Sequence, residues 1–233
     1  MNVEDRLIIA LDVSDAVRAD ELITILRPVC PRFKVGLELF TSAGPDFVRR
    51  LADSGLKIFL DLKLHDIPNT VASAVKSIGK LGVEMFTIHA SGGSEMMKAA
   101  VEAAAAAPQP PIVLGVTVLT SMSAEGLASV GVQRSPEEQV LSLASQAKHS
   151  GCHGIVASAQ EVKALRQRIG YGMHIVTPGI RPVGSEVGDQ KRTGTPAQAI
   201  QDGASFLVIG RPILTANDPV YAARNILGQI PAA

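Results

Sequence analysis

Eight short β-branched runs, each followed by a longer amphipathic stretch, predict one (β/α)8 barrel domain over residues 1–233. The runs cover residues 7–11, 33–36, 57–62, 85–89, 112–117, 154–157, 174–177 and 206–209, and their starts lie 20 to 42 residues apart. That spacing suits strand, loop, helix and return loop, the crossover that parallel strands require. No polar linker interrupts the series. A doubly wound sheet is the competing architecture, but no G-x-G-x-x-G follows the first run and no Walker A sequence occurs.

The helical stretches take residues 15–26, 45–54, 69–80, 93–107, 137–150, 159–169, 196–202 and 219–227. Pro45, Pro196 and Pro219 stand where a first helical turn tolerates a missing N–H. Residues 103–124 run for 22 positions without a charge, long enough to span a bilayer. Pro108, Gln109, Pro110 and Pro111 divide that run into a helix end, a turn and the fifth strand, so no membrane segment is expected. Two connections exceed a bare turn, at residues 118–136 and 181–195. The second carries Gly184, Gly188, Gly194 and the cluster Gln190-Lys191-Arg192. It follows the seventh strand at the barrel end where active sites lie, and a lid is expected there.

Composition narrows the function classes. The chain is 46% hydrophobic and 19% charged, which suits a folded domain and not a disordered one. Its 22 basic residues balance 22 acidic ones, and two Tyr and six Phe with no Trp leave little for base stacking, so no nucleic-acid partner is expected. Cys30 and Cys152 are too few for a disulfide framework, and a reducing cytoplasm is the expected location. The N-terminal MNVEDRLIIALDV is acidic, and its apolar run is too short for a signal peptide.

The charges that carry chemistry sit at strand ends. In Lys57-Ile58-Phe59-Leu60-Asp61-Leu62-Lys63-Leu64, alternation puts Asp61 and Lys63 on one face above Phe59. Two inward charges inside a barrel are too costly unless they lie at its open mouth and pair. Lys34 ends the second strand, Asp12 follows the first and Asp66 follows the third, so Lys34, Asp61, Lys63 and Asp66 are expected to form an alternating cluster at the catalytic rim. A rim salt-bridge network is the bland explanation, but three strand ends charged at matched height favour an active site. Carboxylates on both sides favour the charged form of a lysine, which suits proton delivery to a carbanion and not Schiff-base chemistry.

At the opposite rim, Ile209-Gly210-Arg211-Pro212 ends the eighth strand. Glycine permits close backbone approach and arginine presents a fork to phosphate oxygens, at the place where barrels commonly bind phosphate. Arg181, Gln190 and Arg192 are placed to close on the same anion. His89 ends the fourth strand as a rim histidine, His65 has no settled direction, and Cys152-His153 lacks partners at any familiar metal spacing. Neither G-x-S-x-G nor H-E-x-x-H occurs.

The run Asp61-Leu62-Lys63-Leu64-His65-Asp66-Ile67-Pro68-Asn69-Thr70 resembles the signature of the orotidine 5'-phosphate decarboxylase family. The D-x-K-x-x-D core alone is shared with related sugar-phosphate barrels. The resemblance extends in order along the chain through Ala10-Leu11-Asp12, Phe33-Lys34-Val35-Gly36, Val118-Leu119-Thr120-Ser121, Thr177-Pro178-Gly179-Ile180-Arg181 and Ile209-Gly210-Arg211-Pro212. It implies that Lys63 protonates C6 as CO2 leaves, with Asp61 beside the substrate carboxylate and Lys34 completing the charged array. It implies further that Asp66 reaches into a neighbouring subunit's site in a homodimer. Asp12 and Lys34 would contact the ribose, Thr120 or Ser123 the pyrimidine, and Gln190 and Arg211 the phosphate, with Thr70, Arg181 and Gly210 in the binding shell. No metal or organic cofactor is expected. The competing activities are a metal-dependent relative, ketogulonate-phosphate decarboxylase or hexulose-phosphate synthase, and a non-catalytic sugar-phosphate-binding barrel. Chelator sensitivity separates the first, and the retained carboxylates and lysine speak against the second.

Overall fold

The computed structural model describes residues 2–182 and 193–231. Eight parallel strands close into a barrel in sequence order, and β1 (Leu7–Ala10) seals against β8 (Phe206–Ile209) through pairs such as Ile8 with Val208. Between them come β2 (Arg32–Gly36), β3 (Lys57–Leu64), β4 (Met85–His89), β5 (Ile112–Val116), β6 (Gly154–Val156) and β7 (His174–Thr177). Both strand faces are buried, which is why each strand reads as a nearly continuous apolar run. Ile8, Ala10, Phe59, Met85, Leu114, Val176, Phe206 and Val208 fill the barrel interior. Their neighbours Leu7, Ile9, Phe33, Val35, Leu207 and Ile209 belong to the larger core shared with the helices.

The outer ring consists of α1 (Ala16–Leu26), α2 (Leu37–Asp53), α3 (Pro68–Ile78), α4 (Gly93–Ala105), α5 (Ala124–Ser129), α6 (Pro136–His149), α7 (Val162–Ile169), α8 (Pro196–Gln201), α9 (Arg211–Leu214) and α10 (Pro219–Gly228). Three of these depart from the expected segments. α2 starts at Leu37, eight residues before the expected 45, because the chain turns helical straight after β2 and breaks at Gly44, whose φ is 74°. Only glycine adopts that conformation cheaply, and Pro45 opens the second helical piece. α5 lies within the long connection 118–136, begun by a Ser123 side chain that accepts from Gly126 N. It buries only Leu127, so it leaves almost no amphipathic trace in the sequence. α9 is a single turn after β8, likewise too short for a periodic signal.

The N-terminal mouth of the barrel is closed by charge pairing. Arg32, 3% exposed, donates twice to Glu84 at 2.6 and 2.7 Å and lies 5.0 Å over the Phe206 ring. Asp5 bridges Lys57 at 3.1 Å beside it. A buried guanidinium is tolerable because its fork is matched by a carboxylate. With that mouth plugged, the open end is the C-terminal one.

Candidate active site

A pocket opens at the C-terminal ends of the strands. It is lined by Asp12, Lys34, Asp61 and Lys63 together with Arg181 and Arg211, over a floor that includes Phe59, Val116, Val156 and Val208. Lys34 is the third residue of β2 and points inward, one layer above Arg32. It has room because Gly36 bears no side chain: a Cβ there would meet Lys34 Nζ at 2.9 Å. Lys34 Nζ donates to Asp12 Oδ1 at 2.8 Å and stands 3.8 Å from Asp61 Oδ2. Lys63 Nζ donates to both Asp61 oxygens at 2.9 Å. The result is a row alternating in sign, Asp12–Lys34–Asp61–Lys63.

Lys63 reaches this position by a bent strand, not by plain alternation. Its φ is 53°, and among the described residues it is the single non-glycine with positive φ. The β3–β4 register slips there, passing from Leu60 opposite Phe86 to Leu64 opposite Ile88. A bulge of this kind re-aims a side chain, and such features concentrate at active sites. The Lys63 N–H donates to Thr87 Oγ1 at 2.9 Å, and that hydroxyl donates to Asp61 Oδ1 at 2.9 Å.

Burial by itself raises the pKa of Asp61. The nearby Lys34 and Lys63 ammonium groups, with hydrogen bonds from Lys63 and Thr87, outweigh it and hold the carboxyl below its ordinary value. The pocket therefore holds a fixed carboxylate between two fixed cations, an arrangement that can oppose an anionic group at one point and offer a proton at the next. Beside the row, the His65 and His89 rings lie 5.3 Å apart; burial, and then the charges of His65 and Lys63, lower the His89 pKa against the pull of Asp61.

The remaining expected residues divide. Thr120, Gly210, Arg181 and Arg211 line the pocket. Gly210 packs against Asp12, and a Cβ added there would lie 3.2 Å from Asp12 Oδ2. Ser123 instead caps α5. Asp66 does not join the four-membered row of its own chain, contrary to the expected rim cluster: the chain leaves β3 at Leu64 and turns outward, and Asp66 Oδ1 accepts from Ile67 N at 2.7 Å. Asp66 and Thr70 both lie in an exposed segment, residues 65–70. Gln190, Lys191 and Arg192 fall outside the described residues, as does most of the expected lid. Its two feet are tied by Arg181 N donating to Gly194 O at 2.9 Å. Thr87 was not foreseen, because a threonine within a β-branched strand carries no sign of its partners.

Known proteins resemble this chain over nearly its whole length. Residues 5–226 match the family model described as Orotidine 5'-phosphate decarboxylase / HUMPS family. The chain is 50% identical over 99% of its length to orotidine 5'-phosphate decarboxylase of Moorella thermoacetica, covering 94% of that protein. It is 52% identical over 95% of its length to the enzyme of the same name from Pseudoalteromonas translucida, covering 95% of it. The crystal structure of orotidine 5'-phosphate decarboxylase from Lactobacillus acidophilus superposes with a TM-score of 0.88 at 41% identity, covering 98% of this chain and 100% of the other. A closed eight-stranded parallel barrel and identity of this order over nearly the whole length leave one assignment: the chain belongs to the orotidine 5'-phosphate decarboxylase / HUMPS family.

Proposed function

We propose that this protein decarboxylates orotidine 5'-phosphate to UMP and CO2 in pyrimidine biosynthesis, with Lys63 as the proton donor. The observation that carries the reading is that the Asp12–Lys34–Asp61–Lys63 row and Arg211 line one pocket. The phosphate binds at Arg211, with Arg181 and Gln190 closing over it. Asp12 and Lys34 take the ribose hydroxyls, and Thr120 takes the pyrimidine edge. That orientation brings the substrate carboxylate to Asp61 and C6 to Lys63.

The C6–carboxylate bond breaks with its electron pair left on C6, and CO2 departs toward the apolar floor. The Lys63 ammonium gives its proton to C6, completing UMP, and the neutral amine regains a proton from water. A carbanion without resonance help needs a preorganised cation nearby, and Lys63, held by Asp61, is fixed before substrate arrives. Phosphate binding far from C6 supplies energy that closes the lid and positions the reacting atoms.

The whole chain acts as one barrel domain in a cytoplasmic homodimer, with Asp66 serving the partner's site and Thr70 in the binding shell. The exposure of residues 65–70 supports this, as does Ile67, a large apolar side chain 65% exposed between them. Free, buried Cys30 and Cys152 accord with a reducing compartment. The test is loss of orotidylate absorbance on adding purified protein in excess chelator. Absence of turnover counts against the reading, and recovery on adding magnesium would assign the protein to a metal-dependent activity.

A further inference from the structure

We propose that Thr87 is a positioning residue of this active site, its hydroxyl clamping the Lys63 backbone and the Asp61 carboxylate together so that the proton donor is held in place before substrate binds. The inference rests on the decarboxylase reading above and deepens it. Thr87 is the third residue of β4, fully buried. Leu60 pairs with Phe86 and Leu64 with Ile88, so three residues of β3 face Thr87 alone. The regular ladder is lost there, and a buried N–H needs a partner. Thr87 Oγ1 takes the Lys63 N–H at 2.9 Å.

The direction of the second bond is then forced. A backbone N–H can only donate and a carboxylate accepts, so the single hydroxyl proton points to Asp61 Oδ1, at 2.9 Å. Asp61 Oδ1 also receives Lys63 Nζ at 2.9 Å, which closes a ring from Lys63 N through Thr87 and Asp61 back to Lys63 Nζ. A lysine at φ 53° is in a conformation that L-residues with a Cβ avoid, and it persists only where surroundings dictate it. The Thr87 hydroxyl is the side chain that bonds both ends of that distortion.

Thr87→Val keeps the shape and removes the hydroxyl, whereas Thr87→Ser keeps the hydroxyl. With orotidine 5'-phosphate as substrate, Thr87→Val should lower kcat about 10- to 100-fold while leaving KM and UMP affinity within about threefold, the size expected of one hydrogen bond to a charged group. Its acid limb should move to higher pH, since Asp61 loses a donor that favours the carboxylate. Thr87→Ser should remain within about threefold of the parent, given the restored bond. A role in packing alone would move neither the acid limb nor the Val–Ser contrast. Parent-like kcat and acid limb in Thr87→Val, or a Thr87→Ser as damaged as Thr87→Val, overturns the inference. Should Thr87→Val not fold, Thr87→Cys, a weak donor, takes its place. If the parent itself does not decarboxylate orotidine 5'-phosphate, the functional reading fails separately, and crystal structures of parent and variant still decide the clamp: Lys63 unmoved in φ and in its distance to Asp61 would refute it.

Discussion

Lys63 Nζ lies 2.9 Å from both carboxylate oxygens of Asp61, two residues back along the same strand. In a regular strand, side chains two residues apart run parallel about 7 Å from each other at their bases. The two groups meet here because the Lys63 backbone turns left-handed, to φ 53°. A pairing this tight makes the lysine a fixed part of the pocket and not a mobile surface cation.

Removing that amine tests its role directly. Lys63→Ala should lower kcat by at least about 10²–10⁴-fold, the usual contribution of a positioned general acid. UMP binding, measured by calorimetry, should change far less, since the contribution is made mainly in the transition state. Near-parental turnover would remove Lys63 from the mechanism.

Arg211 should report on the phosphate. Arg211→Ala is expected to cost about 2–5 kcal/mol in kcat/KM with orotidine 5'-phosphate, as for loss of a desolvated charged partner. With orotidine, which has no phosphate, the same substitution should change little. Equal losses for the two substrates would place the phosphate elsewhere.

Shared sites can be tested by mixing inactive chains. If Asp66 serves the neighbouring subunit, Lys63→Ala and Asp66→Asn proteins refolded together form about half mixed dimers, each with one intact site. Roughly a quarter of all sites should recover under that two-fold arrangement. A mixture no more active than its parents, when refolded parent protein regains activity, would assign Asp66 to its own chain.

Stability should fall on mild acidification through His89 beside the pocket and through two histidines remote from it. His153 Nδ1 accepts from Val113 N at 2.9 Å, so the imidazole must be neutral there. Burial lowers the pKa of His153 below 6.5, and burial followed by Arg166 and His153 lowers that of His174. The unfolded chain therefore binds more protons than the folded one as pH drops through 6.5, and stability declines from that point until the folded-state values are passed. Thermal melts between about pH 7.5 and 5 should show this decline, and His153→Asn, whose side-chain oxygen can accept the Val113 bond, should flatten it. An unchanged slope in that variant would shift the cause to other groups.

The barrel itself was legible because its strands bury both faces and its helices bury one, so periodicity alone separates them. The positions of Lys34 and Asp61 followed from the cost of burying charge, which a barrel tolerates at a mouth where it is paired, and that of Arg211 from the place where barrels commonly bind phosphate. The extent of α2 and the short helices α5 and α9 did not follow. A helix interrupted at Gly44 and two helices shorter than seven residues leave no repeating apolar face to read.

By itself the sequence determined the fold class, the end of the barrel where the pocket opens and the residue types gathered there, because these depend on local periodicity and on the cost of burying charge. Tertiary structure alone decided how the groups meet. The left-handed turn at Lys63 and the Thr87 hydroxyl that joins it to Asp61 arise where β3 slips register against β4, and Asp66 turns away just beyond the end of β3. Register between strands is set by packing across the whole barrel, and no window of sequence contains both partners.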